Sequence, residues 1–158
     1  MINTVRQRII DAIKEALTGA ASGRIQRVFM PGEDFGPISA IVAAGKCAVE
    51  LYVGDDVVPG EERSGIEQAT FDVALVIDMP KATSDDAGGS MQLAHDINAE
   101  IYKLYATADG SGGQWGGLAL RTTWQGFGGV YVSDFGPATV HGMSVTYRFR
   151  LGDPESAA

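Results

Sequence analysis

Between Phe71 and Met79 the chain alternates without a break. Phe71, Val73, Leu75, Ile77 and Met79 fall on one side; Asp72, Ala74, Val76 and Asp78 fall on the other. Successive side chains of a strand point to opposite faces, so a period of two this long belongs in a sheet with one face on a core and one partly wet. Pro80 removes a ladder donor and ends the run. A second run repeats the constraint near the end of the sequence. There Met143, Val145, Tyr147, Phe149 and Leu151 alternate with Ser144, Thr146, Arg148 and Arg150.

A sheet with one apolar face needs a cover, and two segments carry helical spacing. In the first, Val5, Ile9, Ile13, Ala16 and Leu17 share a stripe that Ile2 and Ile10 widen, with Asn3 as N-cap and Gly19 or Gly23 as the stop. Burying five such side chains yields roughly 5–12 kcal/mol before ordering costs, enough to demand a partner surface. The second spans about 86–106, with Leu93, Ala94, Ile97, Ile101, Leu104 and Tyr105 on its apolar side and Asp85 and Asp86 at its positive end.

The remaining segments read as strands at 24–30, 38–43, 46–53, 118–125, 130–133 and 139–151, with Ala44-Gly45 as a tight connection and Gly126, Gly128 and Gly129 marking a bulge or hairpin tip. Strands cluster and rarely alternate with helices. The expected class is therefore α+β, a mostly antiparallel sheet flanked by two amphipathic helices. One domain over 1–152 suits the length, with 153–158 expected as a flexible C-terminal tail. Asp-Phe-Gly-Pro occurs twice, at Asp34–Pro37 and Asp134–Pro137. A kinase would need a glycine-rich phosphate loop, a strand lysine and a His-Arg-Asp loop before that triplet, and none is present. Each copy reads instead as a turn leading into a strand, with Phe35 or Phe135 tucked beneath it.

Charge narrows the function. The net −8 is unevenly spread: residues 1–53 balance to +1, 54–86 to −7 and 87–158 to −2. Phosphate binding is driven by clustered Lys and Arg that release counterions, so this sign is wrong for a nucleic-acid binder. Cys47 is the one cysteine and sits in an apolar run, which gives no disulfide framework. The first seventeen residues carry charges throughout, so no signal peptide is expected there, and a cytoplasmic origin is the default. No apolar run is long enough to span a membrane.

Chemistry is sparse. His95 and His141 lack a third partner at metal spacing, so neither a metal nor a cofactor is expected. GSGGQWGG matches neither dinucleotide nor P-loop patterns, and no G-x-S-x-G elbow occurs. Asp55-Asp56 and Asp85-Asp86 are sequence neighbours and point apart on an extended chain, which makes poor acid–base pairs. Trp115 and Trp124 are contact candidates or sheet packing. Long polar, Gly-rich loops at 54–65, 80–90 and 108–117 are the places for interactions. The reading is of a non-enzyme. Its rival is a small-molecule enzyme or binding domain with a pocket lined by His141, Trp124 or Asp134.

In the order INTVRQRIIDAIKEAL, FDVALVIDMP, MQLAHDINAEIYKLYA and VTYRFRLGD, the chain resembles the tail terminators, the tail-completion proteins of long-tailed bacteriophages. The resemblance runs over roughly residues 1–152, and other neck and head–tail connector proteins share its texture. It implies a virion protein, assembled in the host cytoplasm, that forms a hexameric ring. The ring caps the tail tube, stops polymerisation, presents a head–tail joining surface and lets DNA pass. The partners implied are copies of the chain, the tail tube protein and a head–tail connector protein. An acidic channel repels phosphate and lets DNA slide. Asp55, Asp56, Glu61 and Glu62 are the expected channel or ring-contact acids. Met79, Pro80 and the 108–117 loop, with Trp115, are the expected subunit contacts.

Overall fold

The computed structural model describes residues 4–58, 65–81, 87–106 and 114–157. Glu61 and Glu62 lie outside the described residues, as do Asn3, Asp85, Asp86 and most of the 108–117 loop. Over the described residues the fold is α+β, with three helices and a seven-stranded mixed sheet.

Helix α1 (Val5–Leu17) starts at Thr4, whose Oγ1 accepts from the Gln7 N–H at 3.1 Å. Val5, Ile9, Ile10, Ile13 and Leu17 are buried, as their spacing predicts, while Ala16 is half-buried. Strands follow as β1 (Ile25–Phe29), β2 (Cys47–Val53) and β3 (Ile66–Asp78). Between β1 and β2 the segment expected as a strand is instead helix α2 (Pro37–Ala43). Pro37 sits in its first turn, where a missing N–H costs nothing, and Ile38 and Ile41 face inward one turn apart. Ala44-Gly45 is its C-terminal cap: Gly45 takes φ +82° and the Lys46 N–H donates to Ile41 O at 3.1 Å. Because a helix separates them, β1 and β2 run parallel; every other pairing is antiparallel.

After helix α3 (Ala87–Ala106) come β4 (Arg121–Phe127), β5 (Tyr131–Ser133), β6 (Gly136–Arg150) and β7 (Asp153–Ala157). The main path is β1-β2-β3-β6-β4. The long strand β6 has β3 along one edge and β5, β4 and β7 in turn along the other. The tail expected to be flexible is thus a strand over most of its length. β7 pairs with the end of β6, and the Arg8 guanidinium on α1 donates to Glu155 O at 2.9 Å.

Phe71, Val73, Leu75 and Ile77 of β3 and Met143, Val145 and Tyr147 of β6 face one way, and α1 and α3 both pack on that face. Among the described residues, the opposite, outer face is covered by a helix at one corner. There α2 sets Ile38 and Ile41 against Phe29 and Ala48. Both Asp-Phe-Gly-Pro copies converge on that corner, with Phe35 and Phe135 packed on the same small cluster. The first opens a helix, contrary to expectation. The second makes the β5–β6 turn, where Gly136 holds φ +124°. Among the described residues no helix is long and apolar enough to cross a membrane.

Candidate functional site

The outer face between β2 and β4 carries Glu50 and Tyr52, then Thr70, Asp72, Ala74, Val76 and Asp78, then Val140, Gly142, Ser144, Thr146, Arg148 and Arg150. Its middle is low because Ala74 lies opposite Gly142. A methyl added at Gly142 would come within 3.4 Å of Gln125 Cβ, so the Gln125 side chain rests where a larger residue would stand.

The expected site residues separate into three groups. Asp55 is exposed and makes no bond among the described residues, as a channel or contact acid requires. Asp56 is committed within the chain. Arg6 Nη1 reaches Asp56 Oδ1 at 2.8 Å, Tyr147 donates its hydroxyl to Asp56 Oδ2 at 2.8 Å, and Arg6 also donates to Gly54 O at 2.7 Å. Asp56 therefore ties the loop to α1 and β6. Asp56→Ala should cost about 1–2 kcal/mol in urea denaturation, mostly because the buried Tyr147 hydroxyl loses its acceptor.

Met79 and Trp115 are corrections. Met79 is fully buried and extends the β3 ladder by donating to Pro137 O at 2.9 Å. Trp115 is 5% exposed, at φ +49°, with Nε1–H donating to Thr122 Oγ1 at 2.8 Å and its ring against Tyr105. Neither offers a surface to another subunit. Pro80 is half-buried beside Met79. Three exposed aromatics, Tyr102, Trp124 and Phe127, gather where α3 meets the edge strand β4, and Tyr52 and Tyr131 are exposed on β2 and β5. Tyr102 touches Trp124 with ring centres 5.4 Å apart, and His95 touches Phe127 at 5.3 Å. Trp124 keeps 46% of its surface exposed and Tyr102 43%.

His141, Trp124 and Asp134 do not converge. His141 is fully buried under α3. Its Nδ1 lies 3.0 Å from Asn98 Oδ1 and its Nε2 2.7 Å from the Tyr105 hydroxyl. Asn98 spends its amide N–H on Ala94 O at 2.7 Å, so Oδ1 must accept. That assigns the imidazole proton to Nδ1, and Tyr105 donates to Nε2. Burial lowers the His141 pKa to about 4, so the ring stays neutral. Asp134 lines a separate cleft of about 680 Å³ on the outer side, with Ser39, Val42, Lys81 and Pro137.

Sequence reasoning missed a carboxyl pair at the other end of the outer face. Asp78 is fully buried and Glu50 nearly so. They are diagonal neighbours across β2 and β3, since Asp78 pairs with Ala48 two residues from Glu50. Ser133 donates to Asp78 Oδ1 at 3.0 Å and Tyr52 donates to Glu50 Oε1 at 2.7 Å, while Asp78 Oδ2 has no donor. Burial, then the neighbouring Glu50 carboxyl, raises the Asp78 pKa to about 7. Two adjacent buried carboxylates cannot both ionise cheaply, so the fold favours the protonated form of Asp78. Among the described residues no three His, Cys, Asp or Glu side chains form a metal-ligand set. The pair does not line the cleft that holds Asp134.

Compared with known proteins, the chain matches no family model and no curated protein.

Proposed function

We propose that the chain is a ring-forming structural subunit of the tail-terminator kind. It caps a phage tail tube, ends its growth and offers a joining surface to a head–tail connector, with a virion tail or neck as its place of work. The observation that carries this reading is the open side of the molecule at β4. Among the described residues that strand ends the sheet, so one row of its backbone N–H and C=O groups is unpaired by any other described strand. Beside it stand the exposed rings of Trp124 and Tyr102. An edge strand with apolar rings next to it is a template for another chain. A contact made there with a different surface of the next copy is heterologous, and closes when the rotation fits.

Of the two described loop acids, the one free to serve a DNA channel is Asp55, since Asp56 is held by Arg6 and Tyr147, and Glu61 and Glu62 stay among the proposed channel acids. In the ring, each copy adds a formal −8. Asp55→Lys should give rings that retain duplex DNA at low salt and release it at high salt, read by co-sedimentation. Unchanged DNA passage removes Asp55 from the channel. The reading itself is tested by adding the protein to growing tail tubes. Capped tubes stop at fixed length and carry a ring at one end.

A further inference from the structure

The shortest strand of the sheet lies over its most costly polar group. β5 pairs with β6 alone, whereas β2, β3 and β6 are each bonded along both edges. Pro137 has no N–H and turns its carbonyl to the Met79 N–H at 2.9 Å, which leaves Tyr131–Ala138 and Ser133–Gly136 as the bonded pairs of β5. None of its three side chains is buried, and Val132 keeps 87% of its surface exposed. The apolar residues on either side, Val130 and Phe135, pack on the two core clusters. β5 is thus a short span between two anchors.

Tyr131 and Ser133 share the outer face with Asp78, and in that row the small Ala138 stands between Asp78 and Tyr131. The Ser133 hydroxyl crosses to Asp78 Oδ1 at 3.0 Å, and Asp78 Oδ2 has no donor. The ionisable groups around Asp78 are Glu50, Tyr52 and Cys47 of β2 and Tyr131 of β5. Helix α2, which packs on the same corner, brings none. Arg24 and Lys46 stand by Cys47, and Lys81 and Asp134 are near along the chain; among the described residues none of them bonds to either carboxyl. No cation therefore offsets a second negative charge beside Glu50. Ionising both carboxyls requires water, and the cover that yields with the fewest bonds broken is β5.

We propose that β5 is an acid-held strap, closed over the Glu50–Asp78 pair while Asp78 is protonated and lifted between Val130 and Phe135 when both carboxyls ionise. Val132 lines the cleft of about 680 Å³ that holds Asp134, so lifting the strap moves part of that cleft's wall. The closed Asp78 carboxyl titrates near 7, and a lifted strap returns it toward its ordinary 3.8. The preference for the closed form is complete below 3.8, weakens across that window and is lost above 7.

The test is amide hydrogen exchange followed by NMR, with protection corrected for the intrinsic effect of pH. From about pH 5 to about pH 7 protection of the Tyr131 and Ser133 amides should fall by about tenfold per pH unit, then level off. The Leu75 amide, in the middle of β3, reports opening of the core. It should change much less, because there the neutral His141 offsets Asp78. D78N should abolish the slope at Tyr131 and Ser133. E50Q should move the levelling-off point to lower pH by removing the neighbouring charge, and it carries the test if D78N does not fold. Far-UV circular dichroism confirms which variants are folded. A slope that is missing in the wild type, persists in D78N or equals that of Leu75 overturns the strap. So does an E50Q levelling-off point at or above that of the wild type.

Discussion

Asp78→Asn should make the protein more stable at about pH 8, by on the order of 2–4 kcal/mol, and leave it nearly unchanged at about pH 4. The argument is one of linkage. The folded Asp78 carboxyl titrates near 7 and its ordinary value is 3.8. A raised folded pKa means that the fold holds the protonated form. The stability this contributes is complete below 3.8 and is lost as pH rises through 7. Asn copies the uncharged acid: its oxygen still accepts from Ser133, and no charge stands beside Glu50. Urea denaturation across this range is the measurement. A destabilisation of equal size at every pH would show that an ionised Asp78 is what the fold requires.

Asn98→Ala should cost about 2–4 kcal/mol, the other large effect. It removes the acceptor for the buried His141 Nδ1–H and the bonds that Asn98 makes to Ala94 O and, at 3.4 Å, to Thr139 Oγ1. The same site has its own pH signature. The folded His141 pKa is depressed, from 6.5 to about 4, so the neutral ring's contribution is complete above 6.5 and is lost as pH falls through 4. Asp78 and His141 therefore act in opposite directions over nearly the same window, and the wild-type profile is flatter than either part. Asp78→Asn should expose the His141 slope, with stability falling as the solution is acidified from about pH 6.5 to about pH 4. A flat profile in that variant would contradict a neutral buried His141. Tyr105→Phe should produce a smaller loss, about 1–2 kcal/mol, because it removes one donor and no volume.

The elements legible in the sequence were those whose period outlasts any alternative. β3 and β6 alternate over enough residues to allow nothing else, and α1 and α3 repeat their stripe for several turns. The run 38–43 is too short to separate periods two and 3.6. Reading α2 as a strand also hid the parallel β1–β2 pair, which exists only because a helix crosses between them. β7 has no apolar pattern. Its order comes from the unpaired end of β6 and from Arg8, which are tertiary causes. The site was less legible than the fold. Met79 had a usable signal, since it continues the buried face of β3, and placing it at a contact overrode that signal. Trp115 had none, because its burial depends on Tyr105 and Thr122 arriving from other elements. Asp78 belonged to the wet side by alternation. It is buried because β5 brings Ser133 over it, a pairing set by the second Asp-Phe-Gly-Pro turn.

Two helices on one face leave a polar sheet and an unpaired edge on the other side, and the account stands on what meets that side. Electron microscopy of growing tail tubes mixed with the folded protein addresses this directly. The account predicts tubes that stop lengthening, each closed at one end by a ring, and that do not resume growth when fresh tube subunits are added. Tubes that keep growing with bare ends, in the presence of excess folded protein, would contradict it.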